Sequence, residues 1–187
     1  MDTVEMARYL IGKVLVRETE AGRLSGRIVE TEAYPVGDAA GHAFRGKTPR
    51  NRSLFLERGR AYVYLAFGTS LLLNVTSELP EVGAGVLLRA IEPLEGIEQM
   101  MAASRGRRRL ADLGRGPGRL TQALRVDLGH NGWDLCAAGP LWLARSTRRV
   151  GRIGTSVRIG ITRDVDRPLR FYESGNAHVS GPQRLRQ

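Results

Sequence analysis

Apolar residues recur at helical spacing at the start of the chain. Val4, Ala7, Leu10 and Ile11 fall on one side of VEMARYLIGKVL and predict a helix that packs on the domain. RLSGRIVETEAY, residues 23–34, alternates and is rich in β-formers, so it predicts a strand. AYVYLAF (61–67) and LLLNVT (71–76) are short apolar runs joined at Gly68-Thr69-Ser70, which predicts a hairpin. AGVLLRAIEP (84–93) predicts another strand, after which Pro93 is expected to open a helix through LEGIEQMMAAS. GRGPGRLTQALRV places Gly and Pro before a short helix, and PLWLARS, TSVRIGIT, PLRFYES and NAHVSG predict later strands separated by turns. Residues 35–53 carry Pro, Gly, Asn and Arg in quantity and predict a long irregular loop, of the kind that is usually functional or disordered. Strands and helices do not alternate regularly, so the pattern favours a single α+β domain over residues 1–187 with a mainly antiparallel sheet.

Inside that loop, GHAFRGKT (Gly41 to Thr48) fits G-x-x-x-x-G-K-[ST], the pattern of a loop that cradles nucleotide phosphates. A phosphate loop of that kind lies between a buried strand and a long helix. Here PVGDAA precedes it, which does not resemble a buried strand, and Pro49, Asn51 and Gly59 crowd the would-be helix. A P-loop NTPase is therefore a remote alternative.

Composition narrows the picture. A chain of 187 residues with 42% hydrophobic residues can bury a real core. Its net charge of +10 favours polyanions, nucleic acid first and a membrane surface second. Lys13 and Lys47 are the only lysines, so arginine carries nearly all of the positive charge, which suits phosphate but also follows from codon bias. Cys136 stands alone, and His42, His130 and His178 are too scattered for local metal-ligand spacing, so neither a disulfide, a metal nor a cofactor is expected. Residues 1–16 do not resemble a signal peptide and no apolar run is long enough to span a bilayer, so the expected location is the cytoplasm, on the nucleoid in a bacterium, with no membrane partner.

Side chains at i and i+2 of a strand share a face, so Glu30 and Glu32 project together, opposite Thr31 and Ala33. Glu30 reads as a solvated strand residue paired with nearby arginines. Glu32 has Tyr34 next on its face, and His42 with its basic loop follows closely. A carboxylate that can take a proton from water, beside an aromatic face that can hold an extruded base, suits chemistry on nucleic acid.

IVETEAY, GDAAGHAFRGKTPRNRSLF, AYVYLAFG with LLLNV, and GVLLRAIEPLEG follow in one order. With GPGRLTQAL, WDL and PLRFY downstream, they resemble the alkyladenine (3-methyladenine) DNA glycosylase family over nearly the whole chain. The resemblance makes GHAFRGKT the family's histidine loop. It implies a curved, open-barrel-like antiparallel sheet with peripheral helices and a protruding hairpin. It also implies a monofunctional, monomeric enzyme that flips alkylated or deaminated purines out of duplex DNA and hydrolyses the N-glycosidic bond in base excision repair. Glu32 matches the general base, and Arg89 the arginine that helps hold the attacking water. Tyr34, His42 and Tyr64 match the residues that sandwich the base, and Asn74 the side chain that disfavours normal guanine. Phe67 stands at the hairpin tip where the family usually has tyrosine, and Thr69 where methionine is frequent. Thr48, Arg50 and Asn51 match phosphate contacts, and Leu87 belongs with the DNA-contacting positions.

Bland alternatives stand beside these roles. Asn74 can simply satisfy a turn, and His42 can be a solvated loop histidine. Tyr62 reads as structural, and Arg50 with Arg52 as a solvated face. Arg119 sits at a Gly-Pro-Gly helix start, where backbone N–H groups bind phosphate. The run Arg105-Gly106-Arg107-Arg108-Arg109 is the least specific basic stretch and reads as a surface loop. A non-catalytic basic nucleic-acid-binding protein would explain the charge but not the carboxylate in an aromatic setting. A zinc deaminase needs a Cys-x-x-Cys pair that one cysteine cannot supply. A glycoside hydrolase would use two carboxylates flanking a sugar, which the charge and the lack of tryptophan at the loop disfavour.

Overall fold

The longest strand, β2 (Gly22–Tyr34), organises the molecule. A computed structural model describes residues 1–104, 106 and 109–186, so Arg105, Arg107 and Arg108 of the basic run lie outside the described residues. β2 pairs along one edge with β5 (Gly85–Glu95). Along its other edge it pairs first with β1 (Val14–Thr19) and then, at residues 30–32, with β8 (Arg170–Glu173). β3 (Ala61–Ala66) and β4 (Ser70–Thr76) extend the sheet beyond β5, β6 (Leu141–Ala144) lies outside β1, and β7 (Ile153–Ser156) pairs with β8. Every pairing among these strands is antiparallel. Three register shifts between β2 and β5, at Ser25/Gly26 and on both sides of Glu30, kink the pair, as bulges do, and curl the sheet into a half-barrel.

The two faces of the sheet have different chemistry. Val63, Leu73, Val75, Val86, Leu88, Ala33 and Phe171 point to one side and form the apolar core. Each fully buried aliphatic side chain there contributes ~1.5–3 kcal/mol. Helix α1 (Thr3–Leu10) covers this side with Met6, Ala7 and Leu10, and the Thr31 hydroxyl donates to the Ala7 carbonyl at 2.9 Å. Helix α3 (Pro117–Ala123) covers β4 and β5 with Leu120 and Ala123, and the Thr121 hydroxyl donates to the Leu71 carbonyl at 2.7 Å. On the opposite face, register partners place Tyr62, Asn74, Leu87, Glu32 and Arg170 in one row across β3, β4, β5, β2 and β8.

Four boundaries differ from those expected. The first helix stops at Leu10, held at its start by an Asp2–Glu5 capping box. Gly12 then turns the chain at a φ of 86° and frees Val14 and Leu15 for β1, which the helical spacing had hidden. A Cβ at Gly12 would stand 2.3 Å from Val150 Cγ2, so the turn excludes a larger residue on two counts. Pro93 does not open a helix: β5 runs through it, opposite the bulge at Gly26, where the missing N–H is tolerated. Helix α2 (Ile97–Ala102) begins only after Gly96. TSVRIGIT leaves the sheet at Ser156, because Arg158 turns inward to Asp38. NAHVSG is a turn, in which the Asn176 side chain accepts from His178 N at 2.9 Å.

Candidate active site

Glu32 is fully buried and held by three groups. The Tyr34 hydroxyl donates to it at 2.9 Å, the Ile159 backbone N–H at 2.8 Å, and Arg89 lies 3.1 Å away. Glu30, expected to be solvated, is also fully buried, at the centre of an ion network. It accepts from Arg89 Nε at 2.9 Å, Arg170 Nε at 2.7 Å, Ser180 N at 2.6 Å and the Ser180 hydroxyl at 3.0 Å. The bulges around residue 30 turn both carboxylates toward the same arginine, which the alternation alone could not place.

The two carboxyl groups are driven apart in acidity. Burial pushes Glu30 upward, but Arg89, Arg170 and the Ser180 N–H more than offset it, and its pKa falls below the ordinary carboxylate range. Burial pushes Glu32 up as well, and there Arg89, the Ile159 N–H and the Tyr34 hydroxyl offset it only in part, leaving its pKa raised. Groups whose environments separate their acidities in this way can divide their roles. Arg89 is tied to Glu30, Glu32 and, at 3.4 Å, the Ile159 carbonyl. Burial, followed by the nearby Glu32 charge, keeps the Tyr34 hydroxyl protonated and therefore a donor.

Across the same face stand the other aromatic groups. The rings of Tyr62 and Tyr64 stack at 5.2 Å, and His42 lies edge-on to Tyr64 at 4.4 Å. His42 Nδ1 and the Tyr62 hydroxyl are 2.9 Å apart, so Tyr62 fixes the orientation of that imidazole. Desolvation by the neighbouring rings, then the charge of Arg50, lowers the His42 pKa and favours the neutral ring, although the residue as a whole is exposed. Tyr34 and Tyr64 pack with Leu87, which is only 4% exposed and lies within the wall of the site. Asn74 donates to the Tyr62 carbonyl at 3.3 Å from the neighbouring strand, so its backbone partner lies across the β3–β4 pair and not in a turn.

The histidine loop is built around Asn51, which is buried. Its side-chain oxygen accepts from Thr48 N and the Thr48 hydroxyl, and its amide donates to the His42 and Gly46 carbonyls. In this structure Thr48 and Asn51 thus bond to each other and shape the loop. Lys47 is held by Glu81 at 2.6 Å, and Asn51 is followed by a short 3-10 turn, Arg52–Phe55, so GHAFRGKT lacks the strand and long helix of a nucleotide loop. Exposed Arg50 donates to the Leu65 carbonyl and joins the loop to the hairpin. At the hairpin tip Phe67 is 89% exposed and has a φ of 50°. That left-handed conformation costs a non-glycine residue ~1–2 kcal/mol. Arg119 lies at the start of α3, beside Asp112 at 3.6 Å.

Residue spacing missed Glu30, Arg170 and Ser180 as a buried hub, and it missed Arg158, whose guanidinium covers one face of Tyr34 at 4.6 Å. The partners lie 120 to 150 positions apart in the chain, and no local signal links them.

A buried carboxylate on one face with a set of aromatic rings, in a chain of net charge +10, fits the class of enzymes that act on a nucleic-acid base. Comparison with known proteins gives the same class. The sequence model of methylpurine-DNA glycosylase matches residues 1–177. A protein of Mesorhizobium japonicum named "Putative 3-methyladenine DNA glycosylase" is 63% identical over 186 residues, covering 100% of this chain and 89% of its own. Proteins of the same name from Paraburkholderia phytofirmans and Rubrobacter xylanophilus are 54% and 45% identical, covering 99% and 94% of this chain and 86% and 91% of their own. The chain belongs to the methylpurine-DNA glycosylase family. It is a DNA glycosylase, a hydrolase of N-glycosyl bonds in base excision repair.

Proposed function

We propose that the enzyme acts as a monomer on damaged purines of the 3-methyladenine type in duplex DNA, with Glu32 as the general base. The burial of Glu32 on the same face as the aromatic rings, with its charge only partly compensated and its pKa raised, carries this reading, because such a carboxylate is a stronger acceptor for a proton from water. Arg89, fixed by Glu30, orients Glu32 and helps hold the attacking water near C1′. The damaged purine lies between Tyr34 on one side and His42 with Tyr64 on the other, and Asn74 screens its edge. A cationic alkylpurine against an electron-rich ring gains ~0.5–2 kcal/mol per contact, and a neutral His42 adds no repulsion. Phe67, strained and exposed, fills the gap that the extruded base leaves, and Arg50 and Arg119 contact phosphates. All these groups come from one chain, which suits a monomer working on chromosomal DNA in the cytoplasm.

Glu32→Gln tests this reading. Excision in a single turnover should fall ~10²–10⁴-fold, the range of general base catalysis, while lesion-duplex binding stays near wild type. Wild-type excision by Glu32→Gln would overturn the assignment.

A further inference from the structure

We infer that the buried Arg158–Asp38 ion pair is a positioning clamp that fixes the Tyr34 platform, the grip on Glu32 and the root of the histidine loop as one unit. The inference rests on the pocket reading given above, since it assumes that Tyr34 carries the base and Glu32 the chemistry.

The Arg158 guanidinium lies over one face of Tyr34, so only the other face is free to receive a base. Arg158 also donates to the Ala33 carbonyl at 3.0 Å, tying it to the strand residue between Glu32 and Tyr34. Its fork closes on Asp38 at 2.7 and 3.0 Å, with both side chains fully buried. The next residue in the chain, Ile159, supplies the N–H that holds Glu32. Displacement of Arg158 would therefore move the ring and the base together.

Asp38 acts on the loop as well. Its carboxylate accepts from Ala40 N at 2.9 Å, and the Ala39 N–H is taken by Asp164, whose backbone carbonyl accepts from Arg158 at 3.4 Å. Arg167 adds a second, half-exposed cation to Asp38 at 3.3 Å. The loop that carries His42 is thus pinned at its entry by Asp38 and at its exit by Asn51. Only a planar fork can grip a carboxylate at two points and a carbonyl while lying flat on a ring, so lysine is not an equivalent here.

Arg158→Lys keeps the charge and loses the fork. Single-turnover release of radiolabelled methylpurines from methylated duplex DNA should fall about 10–100-fold, as expected for a displacement of about 1 Å at reacting groups. The acid limb of the rate should also move to higher pH, because a loosened Ile159 N–H no longer holds the Glu32 carboxyl down. Of the other groups facing Glu32, Glu30 on β2, Arg89 on β5, Tyr64 on β3 and Arg170 on β8 keep their own partners, while Tyr34 moves with the clamp and its weakened bond shifts the carboxyl in the same direction. Affinity for undamaged duplex should not change, since the Arg158 side chain is buried away from any phosphate. If Arg158→Lys does not fold, Asp38→Asn with Arg158→Gln removes both charges together and should show the same rate loss and the same shift. A rate within twofold of wild type with an unmoved acid limb would overturn the clamp. So would an equal loss at every pH accompanied by weaker binding to undamaged DNA. Glu32→Gln in the same assay separates the two ideas: full excision there sinks the pocket reading, whereas its loss beside a wild-type Arg158→Lys sinks the clamp alone.

Discussion

Glu30 and Glu32 stand two residues apart, and neutralising each should have very different consequences for stability. Glu30→Gln removes the anion that accepts from Arg89, Arg170 and Ser180, and leaves Arg170 buried beside Arg89 without its carboxylate. Breaking a buried ion pair by removing one partner costs ~3–5 kcal/mol. For a chain of this length each kcal/mol moves the melting temperature by about 2–4 °C, so a drop of about 6–20 °C is expected. Glu32→Gln leaves Arg89 with Glu30, keeps an acceptor for the Ile159 N–H and removes a charge that burial disfavours. Its loss of stability should stay below the ~3–5 kcal/mol expected for Glu30→Gln, because Arg89 keeps a buried carboxylate partner.

Acid should separate the two in the same sense. The Glu30 pKa is lowered by folding, so its contribution is complete above the ordinary carboxylate range and is lost as pH falls through its folded value. The Glu32 pKa is raised, so the cost of its charge is absent at low pH and appears as pH rises through its folded value. Urea unfolding at pH 7 and again at acid pH measures both effects. The Glu30→Gln penalty should shrink in acid, and Glu32→Gln should gain on wild type as pH rises. Equal losses from both variants at pH 7, or a Glu30→Gln cost under about 1 kcal/mol, would refute the division of roles.

Affinity for undamaged duplex should fall steeply with salt, and Arg50→Gln and Arg119→Gln should each flatten the slope of log affinity against log salt by about one unit. An unchanged slope in both would make these arginines a solvated surface. Borohydride added during turnover should trap no covalent protein–DNA adduct, because Lys47 is held by Glu81 and Glu32 needs no amine. A trapped adduct that disappears in Lys47→Gln would make Lys47 the nucleophile.

Elements with a clean period were legible in the sequence, and elements set by a turn or by distant partners were not. The β3–β4 hairpin and β2 declare themselves through alternation, and α3 through its Gly-Pro start. β1 was masked because Val14 and Leu15 continue the helical spacing that Gly12 in fact ends. Pro93 misled because the rule that places proline at a helix start ignores a bulge on the neighbouring strand. At the site, Glu32 and Tyr34 were readable from their shared face, since two positions of one strand require no tertiary knowledge. Tyr62 reads as structural in the sequence, and in the fold its hydroxyl orients His42. Glu30 looked solvated because its partners Arg89, Arg170 and Ser180 are drawn from three distant segments.

The alternation of β2 explains how a polar site can be built on a stable fold. Thr31 and Ala33 face α1 and the core, where burial is apolar and self-sufficient. Glu30, Glu32 and Tyr34 face the other way, where three buried arginines replace apolar packing as the source of order. Those charges are not shared evenly. Arg170 is committed to Glu30, Arg158 to Asp38, and Arg89 is divided between Glu30 and Glu32. Glu32 is therefore buried as deeply as Glu30 and compensated less. The same shortage that makes its charge costly to the fold raises its affinity for a proton, so the stability missing at Glu32 and the chemistry proposed for it have one physical origin.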